Sequence, residues 1–452
     1  MSLLLAGGTV VSSLRPPTVE RVNLLVVDDR VAELTPEAVA EAARIDCSGC
    51  LIVPGNVNAH THAYSALAGG MPYRLDPPES FLEILQRIWW RLDRALDEAA
   101  IRASALVAAR EALLAGTTTL VDHHASPNAV DGSLHILAEA FGELGLRSVL
   151  AYEVTDRDGA ERARAGLDEN RRFLERVGRH WYPLARGMVG AHASFTLSTE
   201  TLAACVELAD TSRTGIHIHV AEGGVDEADA MARFDRRVVE RLAEGGALTP
   251  SSLLAHAVHI DPAEARLILQ SGATVAHNPR SNMNNGVGRA PLDWLGPHVA
   301  LGTDGIGADL FEEGRIAYLR RREEDLRAAP DWGVEALQAG ARLVARSFDE
   351  PLLGSLVPGA PADLAILDGM SPTPLTPASL AGQWMLGLSA ARVRDVLVGG
   401  VPLVRDRRLT RVDDEELLAH ARDQAALLWE RMAVIGPHPF TPSRLLATAG
   451  AG

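Results

Sequence analysis

The sequence predicts an α/β fold: a (β/α)8 TIM-type barrel carrying a small β-sandwich built from both chain ends. Three observations predict it. From about residue 55, eight short β-rich runs alternate with longer helical patterns, which places helices outside a closed parallel sheet. Several of those runs end in histidine or aspartate, as catalytic strand ends do in such barrels. Strand-like runs of matching length and polarity flank the alternation on both sides.

The chain opens with short strands and turns, LLLAGGTVVSS, VNLLVVDDRVAELTP and CLIVPG. The start has no basic region and its apolar run is broken by glycine, so it reads as a strand and not a signal peptide. Barrel strands are expected at NVNAHTH (56–62), TTTLVDH (117–123), SVLAYEV (148–154), ARGMVGAH (185–192), TGIHIHV (214–220), SLLAHAV (252–258), ATVAHNP (273–279) and HVALGTD (298–304). Helices rich in Ala, Leu, Glu and Arg lie between them at 97–115, 133–145, 159–179, 197–212 and 261–271. The connection 280–297 is too irregular to read as a helix.

Helices at 311–326 and 333–348 complete the alternation, and the strand rhythm then returns in ADLAILD (362–368) and RDVLVGGVPLVRD (394–406). VDDEE opens an amphipathic helix over 413–433, its acidic first turn suiting the helix dipole. Length alone suggests about three domains. The pattern instead predicts a discontinuous sandwich (1–54 and 355–412), a barrel (55–354), and a C-terminal helix and tail (413–452).

The 452 residues carry 43 basic and 59 acidic side chains, a formal net charge of −16. No lysine occurs; every basic residue is arginine. That excludes a phosphate-loop lysine, a Schiff-base lysine and a carboxylated lysine bridging two metals. The acidic balance argues against nucleic-acid or anionic-membrane partners. No uncharged run reaches about 18 residues, so no membrane span is expected. The only cysteines are Cys47, Cys50 and Cys205, too few for a disulfide framework, and the lone CxxC lacks the second pair of a zinc ribbon. A reducing, cytoplasmic setting is expected.

His60 and His62 lie two apart on one strand, so both project to one face and can bind one ion. His219 ends the fifth strand, His256 the sixth and Asp304 the eighth. A lone strand histidine is more often core than ligand, but His60, His62, His219 and Asp304, gathered on three strand ends, form a metal-site pattern. Three imidazoles and a carboxylate suit Zn²⁺, with Fe²⁺ or Mn²⁺ as alternatives, better than Ca²⁺ or Mg²⁺. Such a set leaves room for a water, whose pKa zinc lowers to about 7. Glu222, three residues past His219, is placed to carry protons over the ion. His256 is left to act on the water or a substrate oxygen.

LIVPGNVNAHTH, GIHIHVAE, LAHAVH, HNPRSN and LGTDG resemble the motif series of the amidohydrolase superfamily, in its mononuclear aminohydrolase branch of guanine, cytosine and S-adenosylhomocysteine deaminases. GSLVPGAPADLA (354–365) resembles that family's return to its sandwich, and the likeness covers essentially the whole chain. It implies His60, His62, His219 and Asp304 as ligands, Glu222 and His256 as catalytic groups, and Asp304 as acceptor of the water proton. LEILQRIWWRLDRALDE (82–98), VDHHASPNAVDGS (121–133), YEVTDRDG (152–159), HNPRSNMNN (277–285) and LGTDGIGADLFEE (301–313) are similar to the SsnA-type aminohydrolases. The resemblance also implies a homodimer or higher homo-oligomer, with a small molecule and water as the reacting partners.

The implied reaction is hydrolytic deamination of an amino-substituted nitrogen heterocycle. The competing readings are hydrolytic ring opening of a cyclic amide or imine, and a non-catalytic scaffold. Arg280 stands where related deaminases commonly carry Thr or Ser, and a fixed forked cation there favours a polar or anionic substrate. Arg157, His124, His192 and Asn282 lie on strand-end loops and are further candidates for the pocket. Of the adjacent pair Trp89 and Trp90, one is expected in the core and the other, assigned to Trp90, over a flat ring.

Overall fold

The computed structural model describes residues 2–37, 39, 42–369 and 371–442. The expected tail beyond 442 lies outside the described residues. Eight parallel strand segments ring the centre of the chain. The first three, Asn56–Thr61, Thr117–His124 and Arg147–Tyr152, form one sheet, and the last four, Ile216–Val220, Leu253–His256, Thr274–His277 and Val299–Leu301, run through another. The fourth strand is broken at Met188. Its first half, Ala185–Gly187, pairs with the third strand, and its second half, Val189–Ala193, pairs with the fifth. Single bridges span the two seams, Val154 to Ala191 and Thr61 to Asp304. At the second seam the backbone N–H groups of Thr303 and Asp304 both donate to His60 O, at 2.9 and 3.0 Å.

The local sequence explains the helical layer. Asp97 caps Glu98–Leu114 by accepting from Ala100 N. Asp261 caps Pro262–Ser271 with proline in the first turn and a reciprocal Glu264, and Gly272 ends it at φ 73°. Several helices were not anticipated, among them Gly224–Phe234 and Val238–Glu244 after the fifth strand. The irregular 280–297 stretch contains a six-residue helix, Pro279–Asn284, and Leu380–Gly387 forms a helix between two sandwich strands. Met385 from that last helix packs onto Gly314 and Gly333, so it belongs to the barrel's outer layer.

Both chain ends meet in the sandwich. One sheet runs, in spatial order, Arg408–Leu409, Val401–Arg405, Val393–Val398, Leu364–Leu367, Leu51–Pro54, Thr9–Leu14 and Pro17–Arg21. Its register aligns Ile366 with Ile52. The second sheet is built from N-terminal strands alone. Leu5, Val10, Leu24, Ile52, Leu364, Ile366 and Leu397 share the core between them.

The C-terminal helix Asp414–Ala433 lies against the barrel, where Trp429 Nε1 donates to Leu67 O at 2.9 Å and Arg431 Nε to Ala95 O at 2.7 Å. Beyond it, 435–440 returns to the insertion that follows the first strand. Among the described residues, no helix is long and apolar enough to cross a membrane.

Candidate metal centre and active-site cleft

The C-terminal strand ends converge on one buried cluster. His62 Nε2 lies 3.2 Å from His219 Nε2 and 3.0 Å from Asp304 Oδ1, and His60 Nε2 lies 3.6 Å from the same carboxylate oxygen. Nitrogen ligands about 2.0–2.1 Å from one tetrahedral ion would themselves be spaced roughly 3.3 Å apart.

Each of the three imidazoles has its other nitrogen occupied. His62 Nδ1 donates to His123 O at 2.6 Å, His219 Nδ1 donates to His192 O at 2.8 Å, and His60 Nδ1 pairs with His217 Nε2 at 2.8 Å. This anchoring of Nδ1 leaves each Nε2 free to hold an ion, the arrangement usual for metal-bound histidines. His60 Nε2 is buried with no hydrogen-bond partner, and burial lowers the His60 pKa to about 3. A neutral, orphaned imidazole nitrogen facing a carboxylate fits a divalent cation.

The backbone at this edge is unusual. His256, Asp304 and Ala221, none of them glycine, have φ of 74°, 54° and 46°. Such conformations cost of order 1–3 kcal/mol each and persist where the surroundings over-determine them. Gly302 permits the closest approach: a Cβ there would fall 2.8 Å from His60 Cβ and 2.4 Å from Asn278 Oδ1.

Glu222 and His256 stand beside the cluster, with His256 Nε2 3.5 Å from Glu222 Oε2 and 3.9 Å from Asp304 Oδ2. Asn285 Nδ2 donates to Glu222 Oε1 at 3.2 Å, and the Ser281 hydroxyl donates to Asp304 Oδ2. Burial raises the Glu222 pKa, against the opposing pull of His256.

The cleft above the cluster encloses about 620 Å³ including its mouth. Phe81, Leu85, Trp89, Trp90 and Phe195 form its apolar wall, while His192, Glu153 and Arg157 also line it. Trp89 and Trp90 both line the cleft, at the junction of the π-type turn Leu85–Trp89 with the short helix Trp90–Ala95. One ring is indeed in the core, but it is Trp90, 1% exposed, while Trp89 is the half-buried one, and both border the cleft.

Three candidate substrate contacts have other partners. Arg280 does not line the cleft; its Nε bonds buried Glu313, its Nη1 bonds Glu312 at 2.6 Å, and its Nη2 donates to Ile306 O at 2.7 Å. His124 is fully buried and bonds Ser126 Oγ at 2.9 Å. Asn282 Oδ1 accepts from His256 Nδ1 at 2.8 Å, so it positions that ring.

His192, Arg157 and Trp90 do line the cleft. Sequence reasoning passed over Glu153, Tyr64, Phe195, His123 and His217. His217 repeats on the fifth strand the two-residue spacing of His60 and His62, a signal already present in HIH.

A model of the amidohydrolase family matches residues 51–403. A 5-methylthioadenosine/S-adenosylhomocysteine deaminase of Nitratidesulfovibrio vulgaris is 33% identical over 93% of this chain and 96% of its own length. A 5′-deoxyadenosine deaminase of Methanopyrus kandleri is 30% identical over 84% of this chain and 86% of its own. Among solved structures, a zinc-bound adenosine deaminase of Xanthomonas campestris superposes with a TM-score of 0.80 at 24% identity, covering 96% of this chain and 99% of that one. An atrazine chlorohydrolase of Arthrobacter aurescens in complex with zinc gives 0.79 at 23%, covering 94% and 100%. The chain belongs to the amidohydrolase family, metal-dependent hydrolases, and acts on carbon–nitrogen bonds other than peptide bonds.

Proposed function

We propose that this protein is a mononuclear deaminase of an amino-substituted purine or similar heterocycle, converting a ring C–NH2 and water to C=O and ammonia. The observation that carries the reading is the placement of Glu222 and His256 beside Asp304 at the mouth of a three-imidazole cluster, under an aromatic wall. The deaminase names of the relatives support it. His60, His62, His219 and Asp304 would hold the ion, and the three imidazoles with one carboxylate favour zinc.

When bound, the ion supplies Lewis acidity and brings water into the nucleophilic range near neutral pH. Asp304 and His256 would orient that water, take its proton and pass it to the departing amino group, which leaves as ammonia. Glu222 gives a proton to the ring nitrogen adjoining the carbon under attack, and Asn285 fixes the face from which it does so. The apolar wall aligns a flat ring and excludes bulk water. Ring opening through a lysine-bridged pair of metals is unavailable to a chain without lysine.

An ammonia-release screen with zinc-loaded protein tests the reading, using 5′-deoxyadenosine, methylthioadenosine, guanine and pterins as substrates. Release from at least one, abolished in Glu222→Gln, is expected. No release from any of them would defeat the proposal.

A further inference from the structure

The charges in the cleft are distributed unequally between free and occupied groups. Arg157 is the one arginine among the described residues that line it, and its guanidinium is already committed. Nη2 bonds Asp93, Nε bonds Asp158 Oδ2 at 3.2 Å, and the group lies 5.1 Å over the Trp90 ring with its side chain 1% exposed. Arg280, the other candidate, is held by Glu312 and Glu313. Neither is available to pair with an anionic substrate.

Glu153, which follows the third barrel strand, is in the opposite condition. It is 3% exposed and lines the cleft, and its Oε1 has no hydrogen-bond partner among the described residues. Its neighbours are histidine nitrogens at longer range: His62 Nδ1 at 3.3 Å, His123 Nδ1 at 3.6 Å and His192 Nε2 at 3.8 Å. The first of these already gives its proton to His123 O at the shorter distance of 2.6 Å. His192 Nδ1 is engaged with Thr196 Oγ1 at 2.8 Å. His123 Nδ1 is itself without a partner but lies beyond hydrogen-bond reach, and a buried carboxylate oxygen without a donor is costly, so Glu153 calls for a donor from within the cleft.

We propose that Glu153 is a substrate-recognition residue: its carboxylate accepts a hydrogen bond from an N–H or O–H donor on the heterocyclic substrate, so the cleft selects neutral or cationic donor-bearing molecules and rejects anions. This deepens the deaminase reading and rests on it for the identity of the site. It also reverses the preference that Arg280 suggested from the sequence.

The test compares 5′-deoxyadenosine with adenosine 5′-monophosphate, which carry the same base and differ in charge. Binding to zinc-loaded protein is measured by calorimetry, alongside turnover and zinc content, for wild type and Glu153→Gln. The wild type binds the neutral nucleoside at least about tenfold more tightly than the nucleotide, whose phosphate meets a buried like charge. Glu153→Gln retains its zinc, raises KM for 5′-deoxyadenosine by a similar factor with a smaller change in kcat, and narrows the discrimination against the nucleotide. If binding follows this order while no ammonia is released, the deaminase reading fails and the recognition proposal stands. Equal or tighter binding of the nucleotide, no binding of the neutral nucleoside, or a Glu153→Gln protein that loses zinc with KM unchanged overturns the proposal. The last result would make the carboxylate a support for His62.

Discussion

Asn282 Oδ1 accepts the Nδ1 proton of His256 at 2.8 Å, and this bond determines which nitrogen of His256 faces the reaction. With Nδ1 protonated, Nε2 presents its lone pair toward Glu222 and Asp304. Asn282→Leu should lower kcat by about 10–100-fold, the usual cost of losing an orienting partner, with zinc content and KM nearly unchanged. Steady-state kinetics with metal analysis checks it; an unaltered kcat would show that the ring holds its orientation without Asn282.

Arg280 should affect stability and not substrate affinity. Its Glu313 partner is completely buried, so Arg280→Ala leaves an uncompensated carboxylate and should cost about 3–5 kcal/mol. Denaturant unfolding measures that loss. A large rise in KM without loss of stability would contradict the placement.

Asp226 predicts a pH dependence with a definite sign. Burial raises its pKa to about 7 from 3.8, while the bond from Ala221 N opposes the rise. A carboxyl whose folded pKa lies above its unfolded value binds more protons when folded. Its contribution therefore favours the fold at pH 4 and is lost as pH climbs from about 4 to 7. Asp226→Asn, which keeps the acceptor for Ala221, should match wild type near pH 4 and be more stable at pH 8. Parallel unfolding curves at both pH values would contradict this.

The segment after the C-terminal helix supports the cleft wall. His438 N donates to Gln86 O at 2.9 Å, Gln86 Nε2 donates to Phe440 O at 2.7 Å, and the Phe440 ring meets Trp90 edge-on at 5.8 Å. Phe440→Ala should raise KM several-fold while kcat changes less, since the ring touches the wall and not the cluster. Phe440→Leu, restoring part of the bulk, should recover most of the affinity. An unchanged KM in the alanine variant would remove this segment from the account.

The strand alternation and the strand-end histidines were readable because both follow short-range rules, periodicity for the strands and spacing for HxH. The break at Met188 was not, since it arises where one strand must exchange partners between two sheets. Arg280 misled because its position in HNPRSN places it beside the site, whereas Glu312 and Glu313, some thirty residues later, turn its side chain away. Glu153 was passed over for the converse reason. A glutamate ending a strand is ordinary until the fold shows its Oε1 buried without a hydrogen-bond donor. Cys47 and Cys50 are buried free thiols, and burial raises Cys47 to about 12.

The most direct test of the central claim is metal stoichiometry measured together with ammonia release, on protein as purified, after chelation and after zinc is restored. One tightly held divalent ion per chain, with ammonia release that disappears on chelation and returns with zinc, is the predicted result. Ammonia release that survives removal of the metal, or two ions per chain with no ammonia formed from any aminoheterocycle, would contradict it.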